Sequence, residues 1–515
     1  METAQPAADA HAPEDHAAHG RAADGGRPAD GRAAVPFDAA ALVSALGGGL
    51  PDGRLVVDRD VLAAMSHDEA EWAPVGRAVA GVRAETEGQV RHVVRTCAEF
   101  GAPIVPRGAG TGLSGGANAI DGAVVLDLSR MSQVLEIDRD NMICVVQPGI
   151  VNNDLKAAVA EHGLWYPPDP ASAPWSSIGG NVATNAGGLC CLKYGVTRDY
   201  VLGLRVATGV SGTGVSAAVK GDGAAGNNGG YGDVVRLGRR TTKGVAGLDL
   251  TALLVGSEGT LGIITEITLR LRPALTGTPR TIVGAFGGLV ASGEAVSLIT
   301  RRGLTPSVLE ILDRACLTAV EEWKHLGIDA DAAALLLARV DTPGESGREE
   351  ADALAAAMTD AGAQWVAQST DAEEAEALFD ARRLAYPALE RLGPVLTEDV
   401  CVPRSAVPAM LARIEATAAR HGVKVATIAH AGDGNLHPLL VTPPGDEGAR
   451  IAAQAAFEEF LSDAIELGGT VSGEHGIGLL KRNGMLRELD PGALVMQEAV
   501  RRALDPRGLF NPGKG

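Results

Sequence analysis

Two histidines stand seven residues apart in His430-Ala431-Gly432-Asp433-Gly434-Asn435-Leu436-His437, around a tight turn that contains glycine. If His430 ends one strand and His437 lies in the next, a hairpin brings both imidazoles to one face, where a divalent cation can join them. Glu474, in Ser472-Gly473-Glu474-His475-Gly476-Ile477-Gly478, can supply a third, anionic ligand. Two histidines and a glutamate with open coordination positions suit catalysis more than structural metal binding. Taken singly, either histidine also reads as a hydrogen-bonded core residue. The pairing weighs more because the chain has only eleven histidines.

A second kind of chemistry is written in Pro106-Arg107-Gly108-Ala109-Gly110-Thr111-Gly112-Leu113-Ser114-Gly115-Gly116, which has five glycines in eleven residues. Successive bare N–H groups can point inward as an anion nest and hold a pyrophosphate. Composition alone also allows a flexible linker. Apolar strands at Ala102 to Val105 and Val124 to Leu128 pin the run at both ends. It is not a Walker loop, since no Lys-Ser/Thr pair closes it, and no long helix opens from its last glycine as in a Rossmann turn. A further glycine-rich run, Ser177-Ile178-Gly179-Gly180-Asn181-Val182-Ala183-Thr184-Asn185-Ala186-Gly187-Gly188, follows the stiff Tyr166-Pro167-Pro168-Asp169-Pro170 segment. Its bare backbone, amides and hydroxyl suit ribityl and pyrophosphate oxygens.

The first loop resembles the phosphate-binding loop of the FAD-linked oxidases of the vanillyl-alcohol oxidase type, in the branch of D-lactate dehydrogenase, D-2-hydroxyglutarate dehydrogenase and the flavin-binding chain of glycolate oxidase. The likeness covers roughly residues 50–515 and continues through the second run, Lys193-Tyr194-Gly195, Gly256-Ser257-Glu258-Gly259-Thr260-Leu261-Gly262-Ile263-Ile264 and the closing Phe510-Asn511-Pro512-Gly513-Lys514. It implies an α+β fold: a two-subdomain FAD-binding domain of that type plus a cap with an antiparallel sheet. Implied cofactor contacts are Pro106, Arg107, Gly108, Ala109, Gly110, Thr111, Gly112 and Gly116 in the first loop. Asp169, Gly179, Gly180, Asn181, Thr184, Asn185 and Gly188 follow from the second, with Glu258, Ile263, Ile264 and Asn511 from the later segments. No histidine or cysteine lies in the Arg107 to Asn118 loop, so the FAD is expected to be non-covalent.

The resemblance also implies that His430, His437 and Glu474 bind the divalent metal, zinc or manganese. His475 is then the base, and Arg382, in Phe379-Asp380-Ala381-Arg382-Arg383-Leu384, anchors the substrate carboxylate. The implied reaction is oxidation of a small D-2-hydroxy monocarboxylic acid to the 2-oxo acid, with electrons leaving to a quinone, a cytochrome or an electron-transfer flavoprotein. Relatives that act on D-2-hydroxyglutarate carry a lysine in the strand after the arginine and an asparagine two residues past the second metal histidine. Those places hold Thr397 and Leu439, and no lysine lies between Lys324 and Lys424. D-2-hydroxyglutarate dehydrogenation is the alternative within the family. Two alternatives lie outside it, a flavin-bearing binding protein without turnover and a metal-dependent hydrolase; the hydrolase would leave the glycine-rich segments without a purpose.

A chain of 515 residues with 46% hydrophobic and 21% charged residues has room for two or more cores. A formal charge of −19 argues against nucleic acid and anionic membrane surfaces as partners. Six scattered cysteines without Cys-x-x-Cys spacing fit a reducing compartment and no structural zinc or iron–sulfur site. No apolar run is long enough to span a bilayer. The chain reads as cytoplasmic, at most peripheral to a membrane, and compatible with a homodimer.

The division expected is a disordered tail at 1–34, in which His11, His16 and His19 are incidental, an FAD-binding domain at 35–274, a cap at 275–425 and a C-terminal part at 426–515 that returns to the flavin domain. Thr86-Glu87-Gly88-Gln89 predicts a capping box, with a helix ending near Gly101. Ile143 to Val146 predicts a strand, and Asn152 or Asn153 the cap of a helix through about Ala160. Residues 211–233 read as a surface insertion, and Leu253 to Val255 as a strand. From about residue 280, strands at Thr281 to Phe286, Ala333 to Val340, Trp365 to Ser369 and Val395 to Val402 alternate with alanine-rich helices, which predicts helices on one face of an antiparallel sheet.

Overall fold

The computed structural model describes residues 37–210, 230–327 and 332–515. The expected tail, its three histidines and most of the 211–233 insertion lie outside the described residues.

The first subdomain is a small sheet in the order Leu55–Val56, Ala80–Arg83, Val124–Asp127, Ile104–Arg107, whose last three strands run parallel. Helix Glu87–Phe100 packs on it because Val90, Val93, Val94 and Cys97 form one apolar stripe and are fully buried. Each such aliphatic side chain contributes about 1.5–3 kcal/mol on burial. Thr86 caps the helix by accepting from Gln89 N, while Gln89 Oε1 reaches one residue further back, to Glu85 N at 2.8 Å. The C-terminal tail closes the open edge of this sheet: Ile104 N donates to Leu509 O at 2.7 Å and Asn511 N to Ile104 O at 2.8 Å.

The second subdomain is an antiparallel sheet in the order Val134–Asp138, Ile143–Val146, Ile263–Arg270, Val201–Thr208, Asp233–Gly238. Asp233, the last residue of the expected insertion, therefore starts a paired strand. Three local expectations need correction. Leu253 to Val255 is not a strand: Leu250–Leu254 is a short helix, since the Asp249 side chain accepts from Ala252 N and starts a turn. Neither asparagine caps Asn152–Ala160; Val151 is the N-cap, and the Asn152 amide instead donates to Pro168 O at 3.3 Å. The second glycine-rich run is not all loop, because Ser177 caps a helix over Ile178–Thr184.

The cap is one antiparallel sheet in the order Trp365–Ser369, Arg280–Phe286, Ala334–Val340, Val308–Asp313, Lys424–His430, Asn435–Val441, Val395–Thr397, with Val400–Cys401 also paired to Asn435–Val441. The single strand expected at Val395 to Val402 is split in two at Glu398-Asp399. Helices cover both faces of this sheet, not one. Ile282, Leu336 and Leu440 pack with helices Leu289–Arg301, Gly344–Asp360, Val407–His421 and Glu447–Glu466, while Val283, Leu337 and Leu439 pack with Arg314–Lys324 and Ala372–Glu390. The reason is that both alternating sets of strand residues are apolar, so each face needs cover. Among the described residues, no helix is long and apolar enough to cross a membrane.

Candidate active site

Strand pairing assembles the centre. Glu310 is the cross-strand partner of His430, and Ile428 that of His437. Side chains alternate along a strand, so Glu310, His430 and His437 share one face of three adjacent strands, beneath the helix that carries Arg382. The two imidazole rings lie 5.1 Å apart, edge to face.

Glu474 enters from the loop after helix Glu447–Glu466. Its Oε1 lies 3.1 Å from His430 Nε2 and 3.4 Å from His437 Nε2, so three potential ligand atoms converge. The opposite ring nitrogens are held by oxygens: His430 Nδ1 lies 2.7 Å from Glu310 Oε1, and His437 Nδ1 3.3 Å from the Glu398 carbonyl. Oxygen partners of this kind fix the ring orientation of metal-bound histidines and leave Nε2 to the metal. The donor set therefore fits a divalent cation. Burial alone would raise the Glu474 carboxyl, but His430 and His437 outweigh it and hold it well below the ordinary carboxylate range. Burial would lower His430, and the Glu310 and Glu474 carboxylates on its two nitrogens push it well above the usual imidazole value instead.

His475 stacks on His437 at 5.0 Å with an 18° tilt, and its side chain is 16% exposed. Burial lowers its pKa to about 4, so the imidazole is neutral at pH 7. Asp399, His437, Glu474 and His475 each place one potential ligand atom within 4.8 Å of the others. His430 completes a better set than His475, because His430 Nε2 meets Glu474 directly and Glu310 backs its other nitrogen.

Arg382 Nε donates to Glu310 Oε2 at 2.8 Å, which links it through Glu310 to His430 and Glu474. Its side chain is 9% exposed, and its Nη1 and Nη2 bear no hydrogen bond among the described residues. Arg383 faces outward instead and pairs with Asp380 on the same helix. The two arginines are thereby distinguished: only Arg382 reaches the centre.

On the flavin side, the first loop and the second run meet. A Cβ on Gly108 would lie 2.3 Å from Ser177 Oγ, so a side chain there would displace the hydroxyl that caps helix Ile178–Thr184. A cavity of about 570 Å³ opens beside Arg107, Gly108 and Ala109, with Arg83 and Ser129 on its wall. Asn181 Nδ2 is buried without a hydrogen-bond partner. The bare backbone of the first loop borders open space whose wall also carries Asp60 and Asp127. That backbone, and separately the unpaired Asn181 donor of the second run, are groups that the polar chain of a dinucleotide can use. Asn511 Nδ2 donates to Gly116 O at 2.9 Å and Glu258 O at 2.7 Å, so the tail braces the loop. Thr184 Oγ1 turns to Gly180 O at 3.3 Å, and Asn185 Oδ1 accepts from Arg198 N at 2.9 Å. Ile263 and Ile264 pair with Ala207 and Val206 and bury their side chains. The Asp169 carboxylate is engaged by Cys190, whose N lies at 3.1 Å and Sγ at 3.2 Å.

The two sites touch. Glu258 accepts from Ile477 N at 2.6 Å and Gly478 N at 2.8 Å, just beyond His475. A Cβ on Gly187 would come within 2.7 Å of Glu474 Oε2, so the second glycine-rich run lies directly against the candidate metal ligand.

Sequence reasoning passed over Glu310, Glu398, Asp399 and Lys481, all essentially fully buried. One signal was available for Glu310. An acid inside the apolar run Val308-Leu309-Glu310-Ile311-Leu312 cannot face water from a central strand and needs a cationic or donor partner.

Residues 279–515 match the family FAD linked oxidases, C-terminal domain, and residues 78–218 the FAD binding domain. The chain is 40% identical over 427 residues to glycolate oxidase subunit GlcD of Bacillus subtilis (strain 168), covering 83% of this chain and 86% of that one. It is 32% identical to the D-lactate dehydrogenase of Anaerostipes hadrus, covering 90% and 94%. In structure it is similar to p-cresol methylhydroxylase, with a TM-score of 0.74, 17% identity and coverage of 92% and 96%. That likeness concerns the fold alone and agrees with the two-subdomain flavin domain followed by a cap. Because the family matches cover the flavin cradle and the cap in turn, and relatives align across most of both chains, this protein belongs to the FAD-linked oxidases, with a fold of the vanillyl-alcohol oxidase type, and is an FAD-dependent oxidoreductase.

Proposed function

We propose that the chain oxidises a small D-2-hydroxy monocarboxylate, of the D-lactate or glycolate type, to the 2-oxo acid. The observation that carries this reading is the convergence of His430 Nε2 and His437 Nε2 on Glu474 Oε1, with His475 stacked beside them and Arg382 joined through Glu310. It is supported by relatives that bear the names glycolate oxidase subunit GlcD and D-lactate dehydrogenase.

When bound, FAD would supply the hydride acceptor, and a divalent cation would supply Lewis-acid polarisation of the hydroxy acid. His430, His437 and Glu474 would hold the cation. The two free terminal nitrogens of Arg382 form a fork for the substrate carboxylate, which fixes the acid in one plane. His475 Nδ1 faces Asp399 Oδ2 at 4.0 Å, while Nε2 bears no hydrogen bond among the described residues. Nε2 is therefore the nitrogen that takes the hydroxyl proton, and a neutral imidazole at pH 7 is in the correct state to do so.

The test is a screen of D- and L-2-hydroxy acids with an artificial dye acceptor. Turnover of D-lactate or glycolate by a yellow protein is expected. A colourless preparation after FAD addition, or no bleaching by any 2-hydroxy acid, would sink the reading.

A further inference from the structure

Glu398, Asp399 and Lys481 are 0%, 0% and 1% exposed and lie directly behind the site. Asp399 Oδ2 accepts from Ser472 Oγ at 2.8 Å, Glu474 N at 3.1 Å and His475 N at 2.8 Å, and the Asp399 carbonyl accepts from Gly473 N at 3.0 Å. Asp399 thus holds the 472–475 stretch that bears the candidate metal ligand and the base, while Glu258 and Ser114 hold the stretch that follows. Asp399 Oδ1 and His475 Nδ1 are both buried without a hydrogen-bond partner, and Oδ1 lies 3.8 Å from His437 Nδ1. On the far side Lys481 Nζ reaches Glu398 Oε1 at 2.6 Å, Val471 O at 3.0 Å and Asp399 Oδ2 at 3.6 Å.

A buried charge cluster is weak support for stability, since apolar side chains of equal volume often do as well. Its geometry supports another role. Lys481 Nζ lies 2.6 Å from Glu398 Oε1 but 3.6 Å from Asp399 Oδ2, so its closer contact is with Glu398, and Asp399 Oδ1 is left facing the histidine pair, 3.8 Å from His437 Nδ1. A base whose second nitrogen faces a fixed carboxylate is the arrangement by which enzymes orient an imidazole.

We propose that Asp399 is the positioning residue of this site, setting the backbone at Glu474 and His475 and facing His475 Nδ1, with Lys481 holding it in place. The proposal rests on the reading of Glu474 as metal ligand and His475 as base.

The test uses the full chain loaded with FAD. Mn²⁺ affinity is measured by equilibrium dialysis after metal removal, and flavin reduction by rapid mixing at saturating D-lactate. Asp399→Asn is expected to weaken Mn²⁺ binding by about 10–100-fold and to slow flavin reduction by at least about tenfold, with FAD content unchanged. Lys481→Met should show losses in the same direction, and Lys481→Arg should recover part of them. In Asp399→Asn/His475→Asn the two losses in reduction rate should not add; full additivity would show that Asp399 does not act through His475. Wild-type Mn²⁺ affinity together with a wild-type reduction rate in Asp399→Asn overturns the proposal. If His475→Asn alone reduces flavin at the wild-type rate, the base assignment has failed, and the Mn²⁺ affinity of Asp399→Asn still decides whether Asp399 positions Glu474. Should Asp399→Asn not fold, Ser472→Ala removes one donor from the same carboxylate. A Mn²⁺ affinity weakened by about threefold or more supports the proposal, and an unchanged one overturns it.

Discussion

Thr397 and Leu439 are cross-strand partners in the cap sheet. Leu439 lies two residues beyond His437 and so shares its face, the one covered by the helix that carries Arg382. The resemblance implies lysine and asparagine at these two places in relatives of the dicarboxylate type. Here a methyl-bearing hydroxyl and an isobutyl group meet instead, and Leu439 is 1% exposed.

A distal carboxylate placed against this pair would be desolvated without a cation. The penalty runs to several kcal/mol. The expected order of kcat/KM is therefore D-lactate and glycolate above D-2-hydroxyglutarate. A preference of tenfold or more for the dicarboxylate would show that the Thr397–Leu439 pair does not line the pocket.

The flavin is expected to come away freely. The Arg107 to Asn118 loop offers neither histidine nor cysteine. The thiols of Cys190 and Cys191, which follow the second glycine-rich run, are raised by burial and by neighbouring carboxylates, so they are poor nucleophiles toward a flavin ring. Acid precipitation should release all the yellow chromophore; colour retained in the pellet would mean a covalent link.

What could be read from the sequence was local, and what could not was built by strand pairing. The glycine loops, the His430 to His437 hairpin and Glu474-His475 are legible because each needs a particular backbone or a particular spacing. Glu310 acts on His430 across 120 positions of sequence, and Asp399 on His475 across 76. Strand pairing brings Glu310 to His430, and the loop after helix Glu447–Glu466 folds back onto Asp399 to bring His475 there. The second layer of helices on the cap was missed for a related reason. Strands apolar on both faces look in sequence like strands apolar on one, unless each residue of the alternation is weighed.

Metal removal should abolish turnover and leave the flavin in place. The ligand set and the flavin cradle lie on different elements and touch at Gly187 and through Glu258. Exhaustive chelation or His437→Ala is expected to give a yellow protein that D-lactate does not bleach, restored by Mn²⁺ or Zn²⁺ only in the chelated wild type. Full activity after chelation, with metal content checked by elemental analysis, would remove the cation from the reaction.

Base catalysis by His475 has a pH signature. A base works only while unprotonated, and burial holds this imidazole at about 4. At saturating Mn²⁺, which keeps the proton off His430, the rate of flavin reduction should stay flat as pH falls from 8 to about 5 and be lost only as pH drops through about 4, since protonation then removes the acceptor. His475→Asn should slow the step by about 10²–10⁴-fold. An acid limb between pH 6 and 7, or an unslowed variant, would assign the proton to another group.

Arg382 has one observed contact, to Glu310, and one proposed duty, the substrate carboxylate, and its variants separate them. Its Nε is committed to Glu310, which in turn holds His430, while its terminal nitrogens remain for the substrate. Arg382→Ala should cost roughly 2–5 kcal/mol in substrate binding if the carboxylate pair it makes is buried. It also leaves Glu310 with His430 as its remaining partner, so some weakening of the His430 side of the metal site should accompany it. Arg382→Lys keeps the charge near Glu310 but loses the planar fork. Metal affinity should then stay close to wild type while KM for every 2-hydroxy acid rises by tenfold or more, because the lost contact is to the carboxylate they share. Steady-state kinetics on D-lactate, glycolate and D-2-hydroxybutyrate, with Mn²⁺ affinity measured alongside, gives both numbers. Unchanged KM values in Arg382→Lys would confine Arg382 to supporting Glu310 and return the carboxylate anchor to another residue.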